Sequence, residues 1–245
     1  STTGLNAIDY FLTDEVLDPP GEHEKFFSEK LLYMPAQFSY ARRENVLTPD
    51  GAACLKNGYV TFGTICRYSK ISDDMLMIWT EILKRVPDAK LLMRAKEFIS
   101  NRSVDELYAT MKNFGCDMDR VIFRPAVHDY FDEISKIDIM LDAYPYVGGT
   151  TTLDALYMGV PVINFYGERH STRFGKSILT SVGLGELSVD SVEDYINTAV
   201  ALANDKETLD ALHKNLRQMF LNSDALDPIK YCRRLEKKFE ELLRR

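Results

Sequence analysis

The sequence predicts an α/β fold, a doubly wound parallel sheet with a helical C-terminus. Three observations predict it. Between residues 59 and 183 a short apolar run is followed by a helical pattern five times in succession. The runs are apolar on both faces, as strands must be when helices cover a parallel sheet on each side. From Ser191 onward the periodicity is helical only. A chain of 245 residues with 45% hydrophobic and 27% charged residues has the composition to bury such a core.

In chain order, "YVTFGTI" (59–65) is β-branched and aromatic. "DDMLMIWTEILKRV" (73–86) then places Met75, Ile78, Trp79, Ile82 and Leu83 on one helical face. "AKLLMRA" (89–95) pairs with "SVDELYATMKNFG" (103–115), where Ser103 and Glu106 carry a capping-box spacing. "RVIFRPA" (120–126) pairs with "HDYFDEISKI" (128–137), "DIMLDAY" (138–144) with "TTTLDALYMG" (150–159), and "VPVINFY" (160–166) with "STRFGKSILTSVG" (171–183). Three helices follow, the last with Pro228 at its start and acids and bases alternating along its exposed face. Residues 1–40 stand outside this Rossmann-like register: "NAIDYFLTD" and "EKLLYMP" read as two strands around the turn-rich "EVLDPPGEHE". Residues 41–58 are mostly polar, contain Pro49 and Gly51, and read as a linker. Residues 59–245 form the main domain.

A net charge of −7 disfavours broad contact with a nucleic-acid backbone and requires any anionic ligand to be met by a local cluster of cations. Cys54, Cys66, Cys116 and Cys232 lie far apart without CxxC spacing, which reads as buried thiols in a reducing compartment. No secretory leader and no membrane-length apolar run is present, so the expected location is cytoplasmic. The chain opens on Ser1 just ahead of an apolar pattern, and the expectation is a fragment of a longer protein.

Chemistry concentrates in "YPYVGGTTTLDALYMGVP" (144–161), where a strand leads into a helix. In an open parallel sheet, ligands sit outside the carboxyl ends of the strands. Gly148 and Gly149 allow close backbone approach there. The first-turn amides favour negative charge, and the hydroxyls of Thr150 and Thr151 add donors. The result is a phosphate cradle. Asp154, one turn on, suits the hydroxyls of a ribose, so the set as a whole suits a nucleoside diphosphate. A plain helix cap with a solvated acid fits the same stretch equally well.

Two other rims point to the same cleft. "CRYSKIS" (66–72) follows the first strand and aims Arg67 and Lys70 at it, as phosphate partners or as a solvated basic loop. "RPAVHDYF" (124–131) places backbone near Ala126 and Val127 where a base edge could be read, with His128 beside it as contact or as cap. GxGxxG, GxxxxGK[ST], HExxH and GxSxG are absent, and no cluster of metal ligands appears.

The ordered set "DYFLTD", "SEKLLYMP", "YSKI", "IWTEILKRVPDAKL", "RVIFRP", "DIMLDAYPYVGGTTTLDALYMGVPVI" and "GERHSTR" resembles the catalytic region of the O-GlcNAc transferase family, which includes the plant SPINDLY proteins. The resemblance runs from Gly4 to the last helix. It implies a GT-B glycosyltransferase: two Rossmann-like domains facing a cleft, no metal or other cofactor, and a UDP-sugar donor held mostly by the C-terminal domain. It places the family's diphosphate-binding lysine, the one catalytic residue assigned here, on Lys70. The paired threonines fall on Thr150 and Thr151, the ribose-binding aspartate on Asp154, and the uracil-contacting backbone near Ala126 and Val127.

Two departures stand out: Arg67 replaces a family glutamine, and Gly149 replaces a histidine before the threonines, so a guanidinium is gained where an imidazole is lost. The resemblance also implies an N-terminal catalytic domain and acceptor-selecting TPR repeats ahead of this segment. Residues 1–40 would be that domain's last strands. The expected activity is transfer of a sugar, N-acetylglucosamine in the family, to Ser or Thr of a protein, with this chain alone binding donor and transferring poorly. Two alternatives share the fold: a transferase with a small-sugar or lipid acceptor, and a non-catalytic nucleotide-sugar-binding half within an assembly.

Overall fold

The computed structural model describes residues 2–44, 46, 50–126, 131–223 and 226–244. Two short strands come first, β1 (Tyr10–Asp14) and β2 (Lys30–Met34), paired in parallel from Tyr10 opposite Lys30 to Asp14 opposite Met34. A helical turn, α1 (Cys54–Asn57), leads into the main domain. There β3 (Thr61–Ile65), α2 (Asp73–Arg85), β4 (Lys90–Ala95), α3 (Asn101–Asn113), β5 (Val121–Pro125) and α4 (Phe131–Ile134) follow in order. Next come β6 (Ile139–Leu141), α5 (Thr150–Tyr157), β7 (Val162–Phe165), α6 (Phe174–Ser181) and β8 (Ser188–Val189). Three helices, α7 (Val192–Asn204), α8 (Lys206–Leu221) and α9 (Pro228–Leu243), end the chain.

Six strands form one parallel sheet in the order β5-β4-β3-β6-β7-β8. The chain winds outward from β3 in one direction, then returns to β6 and winds in the other. The β3/β6 boundary is therefore a topological switch point, where the loops leave in opposite directions and open a crevice. The double winding expected from the five couplets is present. β8 has only two residues, too short for a periodic signal, and is an addition the sequence pattern did not indicate.

Helix faces follow the predicted spacing where caps are clear. All five apolar residues expected to face inward from α2 are buried, and Ser72 caps the helix by accepting from the Met75 amide at 3.3 Å. Asp227 caps α9 by accepting from Ile229 and Lys230 at 2.9 and 3.0 Å, with Pro228 in the first turn. The Ser103/Glu106 box is not used. Helix α3 starts two residues earlier, at Asn101, and Glu106 instead accepts from Tyr68 Oη at 2.6 Å and Arg102 Nε at 3.0 Å.

Two further expectations change. The linker reading of 41–58 fails at its end: Ala52 and Cys54 are buried, and the Cys54 amide donates to Asp138 Oδ1 at 2.7 Å, so this stretch packs into the main domain. The thiols are also not uniformly buried: Cys54 and Cys116 are, Cys66 is partly covered, and Cys232 is exposed. No helix among the described residues is long and apolar enough to cross a membrane.

Residues 2–40 are held to the main domain by buried polar groups. Asp14 accepts from Ser177 Oγ at 2.6 Å and from the Gln37 amide at 2.9 Å. Asp18, fully buried, takes Nδ1 of His23 at 3.0 Å, Nδ1 of His170 at 2.7 Å and the Thr13 hydroxyl. Arg173 Nε reaches the Val16 carbonyl at 2.9 Å. These bonds fasten the β1–β2 unit beside the loop after β7, next to the crevice.

Candidate functional site

A cavity of about 880 Å³ opens at the switch point, on the carboxyl ends of β3, β4 and β6. Of the residues singled out in the sequence, Arg67, Lys70, Ala126, Gly148, Gly149, Thr150 and Thr151 line it. Val127 and His128 lie outside the described residues.

Lys70 is presented by a tight turn over residues 68–70. The Lys70 amide donates to the Arg67 carbonyl at 3.0 Å. The Tyr68 amide donates to Glu97 at 3.2 Å, tying the turn to the segment after β4. The ammonium lies 4.0 Å from the centre of the Tyr146 ring. Burial lowers its pKa, opposed by the charge of Asp142. Arg67, at the head of the turn, is exposed on the same wall.

Across the crevice, α5 begins with its threonines. The first intrahelical bond runs from the Leu153 amide to the Gly149 carbonyl at 3.0 Å, so the amides of Thr150, Thr151 and Thr152 precede the helical ladder and present the positive end of the helix. No side chain caps the helix, so Thr150 is a wall residue and not its cap. Gly148 is needed for close approach: a Cβ there would lie 2.6 Å from Thr152 Oγ1, 2.7 Å from Thr151 Oγ1 and 3.1 Å from Asp142 Oδ1. At Gly149 an added Cβ meets nothing within 4 Å. Gly148→Ala should therefore cost about 1–3 kcal/mol of stability and displace both threonines, whereas Gly149→Ala should leave the denaturation midpoint nearly unchanged. Chemical denaturation of the two variants checks this contrast, and equal midpoints would remove the packing argument.

Asp154 does not reach the cavity. It is fully buried, and its Oδ1 accepts from Tyr40 Oη at 2.6 Å. Tyr40 in turn packs on Tyr157 and Phe220, with ring centres 5.2 Å apart in both cases. Asp154 thus sits behind the cavity wall, with one carboxylate oxygen on Tyr40 and the other, Oδ2, buried without a hydrogen-bond partner among the described residues. One helical turn beyond Thr150 lies deeper along the axis, and Tyr40, brought in from 114 residues away, covers the carboxylate. The Ala126 amide is also committed, donating to the Ala95 carbonyl at 3.1 Å as part of the sheet.

Among the wall residues not singled out in the sequence, four bear on its charge and on Lys70. Arg94, near the end of β4, and Lys96, just after it, set four cations with Arg67 and Lys70 against one carboxylate, Asp142, among the described lining residues. The pattern "LMRAKEF" offered only two bases at a strand end, no more specific than any surface pair. Tyr146 forms the fourth. Asp142 directly follows β6 as an acid after an apolar run, the one signal that could have found it. It is 9% exposed and accepts from the amides of Gly148 (2.8 and 3.0 Å) and Ala143 (2.9 Å) and from Asn164 Nδ2 (3.0 Å). Burial nevertheless pushes its carboxyl up to about 6, against those hydrogen bonds and the Lys70 charge.

Comparison with known proteins gives this arrangement a family. Residues 41–235 match the family model for glycosyl transferase family 41. The chain is 34% identical over its whole length to a Hordeum vulgare protein named "Probable UDP-N-acetylglucosamine--peptide N-acetylglucosaminyltransferase SPINDLY". It spans about a quarter of the length of such relatives, 26% in that case. Among solved structures, a variant of Thermobaculum terrenum O-GlcNAc transferase superposes on 98% of the chain with a TM-score of 0.89 and 28% identity, the match covering 46% of that protein. Anabaena HepE in complex with UDP matches with a TM-score of 0.60 over 90% of this chain and 59% of its own, at 14% identity, a likeness of fold. With a double-wound sheet of the GT-B type, its switch-point cavity and a full-length alignment in agreement, the chain belongs to glycosyl transferase family 41.

Proposed function

We propose that the cavity binds the diphosphate of a UDP-sugar, and that the complete protein transfers the sugar, N-acetylglucosamine, to a Ser or Thr hydroxyl of a protein. The observation that carries this reading is the convergence of Lys70 and Arg67 with the Gly148–Thr151 turn across one switch-point cavity. The names of the relatives support the donor and the acceptor class. Residues 1–40, fastened beside the crevice by Asp14 and Asp18, serve as the last strands of the preceding domain, whose remaining parts and TPR repeats would lie in the other three quarters of the protein.

In this reading the acceptor oxygen attacks the anomeric carbon, the bond from that carbon to the diphosphate breaks, and UDP leaves. Negative charge grows on the departing diphosphate. Lys70, Arg67 and the first-turn amides of α5 are preorganised donors for that charge, so they stabilise the transition state more than the ground state. The open space at Gly149, where the family carries histidine, leaves that contact to the Arg67 guanidinium. Ala126, with Val127 and His128, remains the proposed base-reading segment.

Calorimetric titration of this chain with UDP, and with GDP for comparison, tests the reading. UDP should bind in the micromolar range, and Thr150→Ala/Thr151→Ala should weaken it about tenfold or more. Absence of UDP binding, or binding indifferent to both threonines, would remove the site. A second reading, a non-catalytic half of an assembly, is favoured by exposed Leu5, Ile8, Tyr10 and Phe26 in the first segment and Ile229, Phe239 and Leu243 on α9. Concentration-dependent self-association without transfer would be its signature.

A further inference from the structure

Asp142 is the least expected group in the cavity. A pocket meant for an anion has a carboxylate in its wall, directly behind the turn that faces the ligand. Its oxygens hold the turn in place: the Gly148 amide is committed to them at 2.8 and 3.0 Å, the Ala143 amide at 2.9 Å and Asn164 Nδ2 at 3.0 Å. Asn164 is itself fixed, its Oδ1 accepting from Ser188 Oγ at 2.8 Å. Below, Tyr195 Oη donates to the Asp142 carbonyl at 2.9 Å and accepts from Trp79 Nε1 at 3.4 Å, so the floor cannot move away from the ligand.

Four cations share the described cavity lining with Asp142: Arg67 and Lys70 after β3, Arg94 on β4 and Lys96 just beyond it. From the segment after β3 come Lys70, whose charge acts on Asp142, and the Cys66 thiol; from α7 comes the Tyr195 phenol; from β7 comes only the uncharged Asn164. Burial pushes Cys66 up to about 11 and Tyr195 up as well, so both stay protonated through the neutral range. Lys70 is the cation whose charge acts on Asp142, and it lines the cavity that the α5 threonines face.

We propose that Asp142 is an exchangeable counter-ion: it balances Lys70 in the free protein, and when a nucleoside diphosphate takes that ammonium over, Asp142 binds a proton from solvent. The inference rests on the donor-binding reading above. Two negative charges arriving beside a buried carboxylate stabilise its neutral form. An ordinary exposed carboxyl, titrating near 4, would stay ionised at neutral pH regardless. Asp142 starts from about 6, close enough for the same push to cross neutrality. Left ionised, it would stand beside the bound anion with Lys70 drawn to the ligand, and at 9% exposure it has little water of its own to screen the repulsion. The neutral carboxyl keeps oxygen acceptors for the Gly148 amide, so the turn survives the change.

The sign is fixed by linkage. Uptake of a proton on binding makes donor affinity fall as pH rises. UDP-N-acetylglucosamine is the appropriate probe, because its diphosphate is esterified at both ends and does not itself titrate near neutrality. Titrating it into the chain at pH 7, in buffers of different ionisation heat, should show uptake of roughly half a proton or more per ligand. The dissociation constant should rise several-fold between pH 6 and 8. Asp142→Asn should still bind, within about tenfold of the wild type, with uptake near zero and a flat pH dependence. Wild-type binding without uptake, or equal uptake in the variant, overturns the proposal and leaves the donor site standing. Absence of wild-type binding overturns both. Should Asp142→Asn fail to fold, the 13C carboxyl resonance of Asp142 in the wild type, followed through pH with and without ligand, decides the same point: it must titrate higher in the complex.

Discussion

Replacing Lys70 by alanine should lower turnover of the complete protein by about 10²–10³-fold, the loss expected when one preorganised donor to a developing charge is removed. The expectation follows from placement. The side chain is half-buried on the cavity wall, its turn is pinned by the Arg67 carbonyl and by Glu97, and its ammonium lies over the ring of Tyr146, itself 61% exposed. Little packing is lost with the ammonium, so the melting temperature should shift by no more than a few degrees. The measurement is steady-state transfer to a peptide acceptor, alongside thermal unfolding of the variant. Unchanged turnover would take Lys70 out of the site, whereas lost turnover with collapsed stability would assign it to folding.

Replacing Asp18 by alanine should be strongly destabilising, on the order of 3–5 kcal/mol. Two histidines and a threonine hydroxyl converge on this carboxylate at zero exposure, and without it both Nδ1 atoms lose this acceptor while the Thr13 hydroxyl keeps only a longer contact to the Asp14 carbonyl. Its acid behaviour provides a second check. Burial by itself would raise the pKa, but donors from His170, Thr13 and His23 outweigh it and hold the carboxyl down at about 2. A folded value below the unfolded one, near 4, means that this stability is fully present above pH 4 and is lost as pH falls from about 4 to 2. The shift corresponds to roughly 2 kcal/mol. Urea unfolding of wild type and Asp18→Asn from pH 7 to pH 2 should show the gap between them closing in that window. A gap independent of pH would mean that Asp18 acts through shape alone.

What could be read ahead of the structure divides along one physical line. Periodicity is local, so strands buried on both faces and helices with one apolar face announced themselves: β3 with α2 is the clearest pair, with every predicted inward residue of α2 buried. Loops entering helices at strand ends are local too, so Lys70, Arg67 and the Gly148–Thr151 turn could be assigned to one rim before their meeting was seen. Capping boxes are weaker, because a Ser-x-x-Glu spacing competes with partners elsewhere; Glu106 preferred Tyr68, 38 residues away.

The sequence by itself thus determined the double-wound architecture, the family and the rim of the sheet on which the cavity opens. Tertiary structure alone decided which charged groups face that chemistry. Asp154 and Asp142 look alike in the sequence, each an acid beside an apolar run. One is sealed under Tyr40 from 114 residues away, while the other lines the cavity beside Lys70. The Asp18–His170 contact, spanning 152 residues, is equally silent in the chain. Whether a carboxylate is buried, paired or raised toward neutrality depends on atoms within a few ångströms in space, and folding brings those atoms from positions that no local pattern connects.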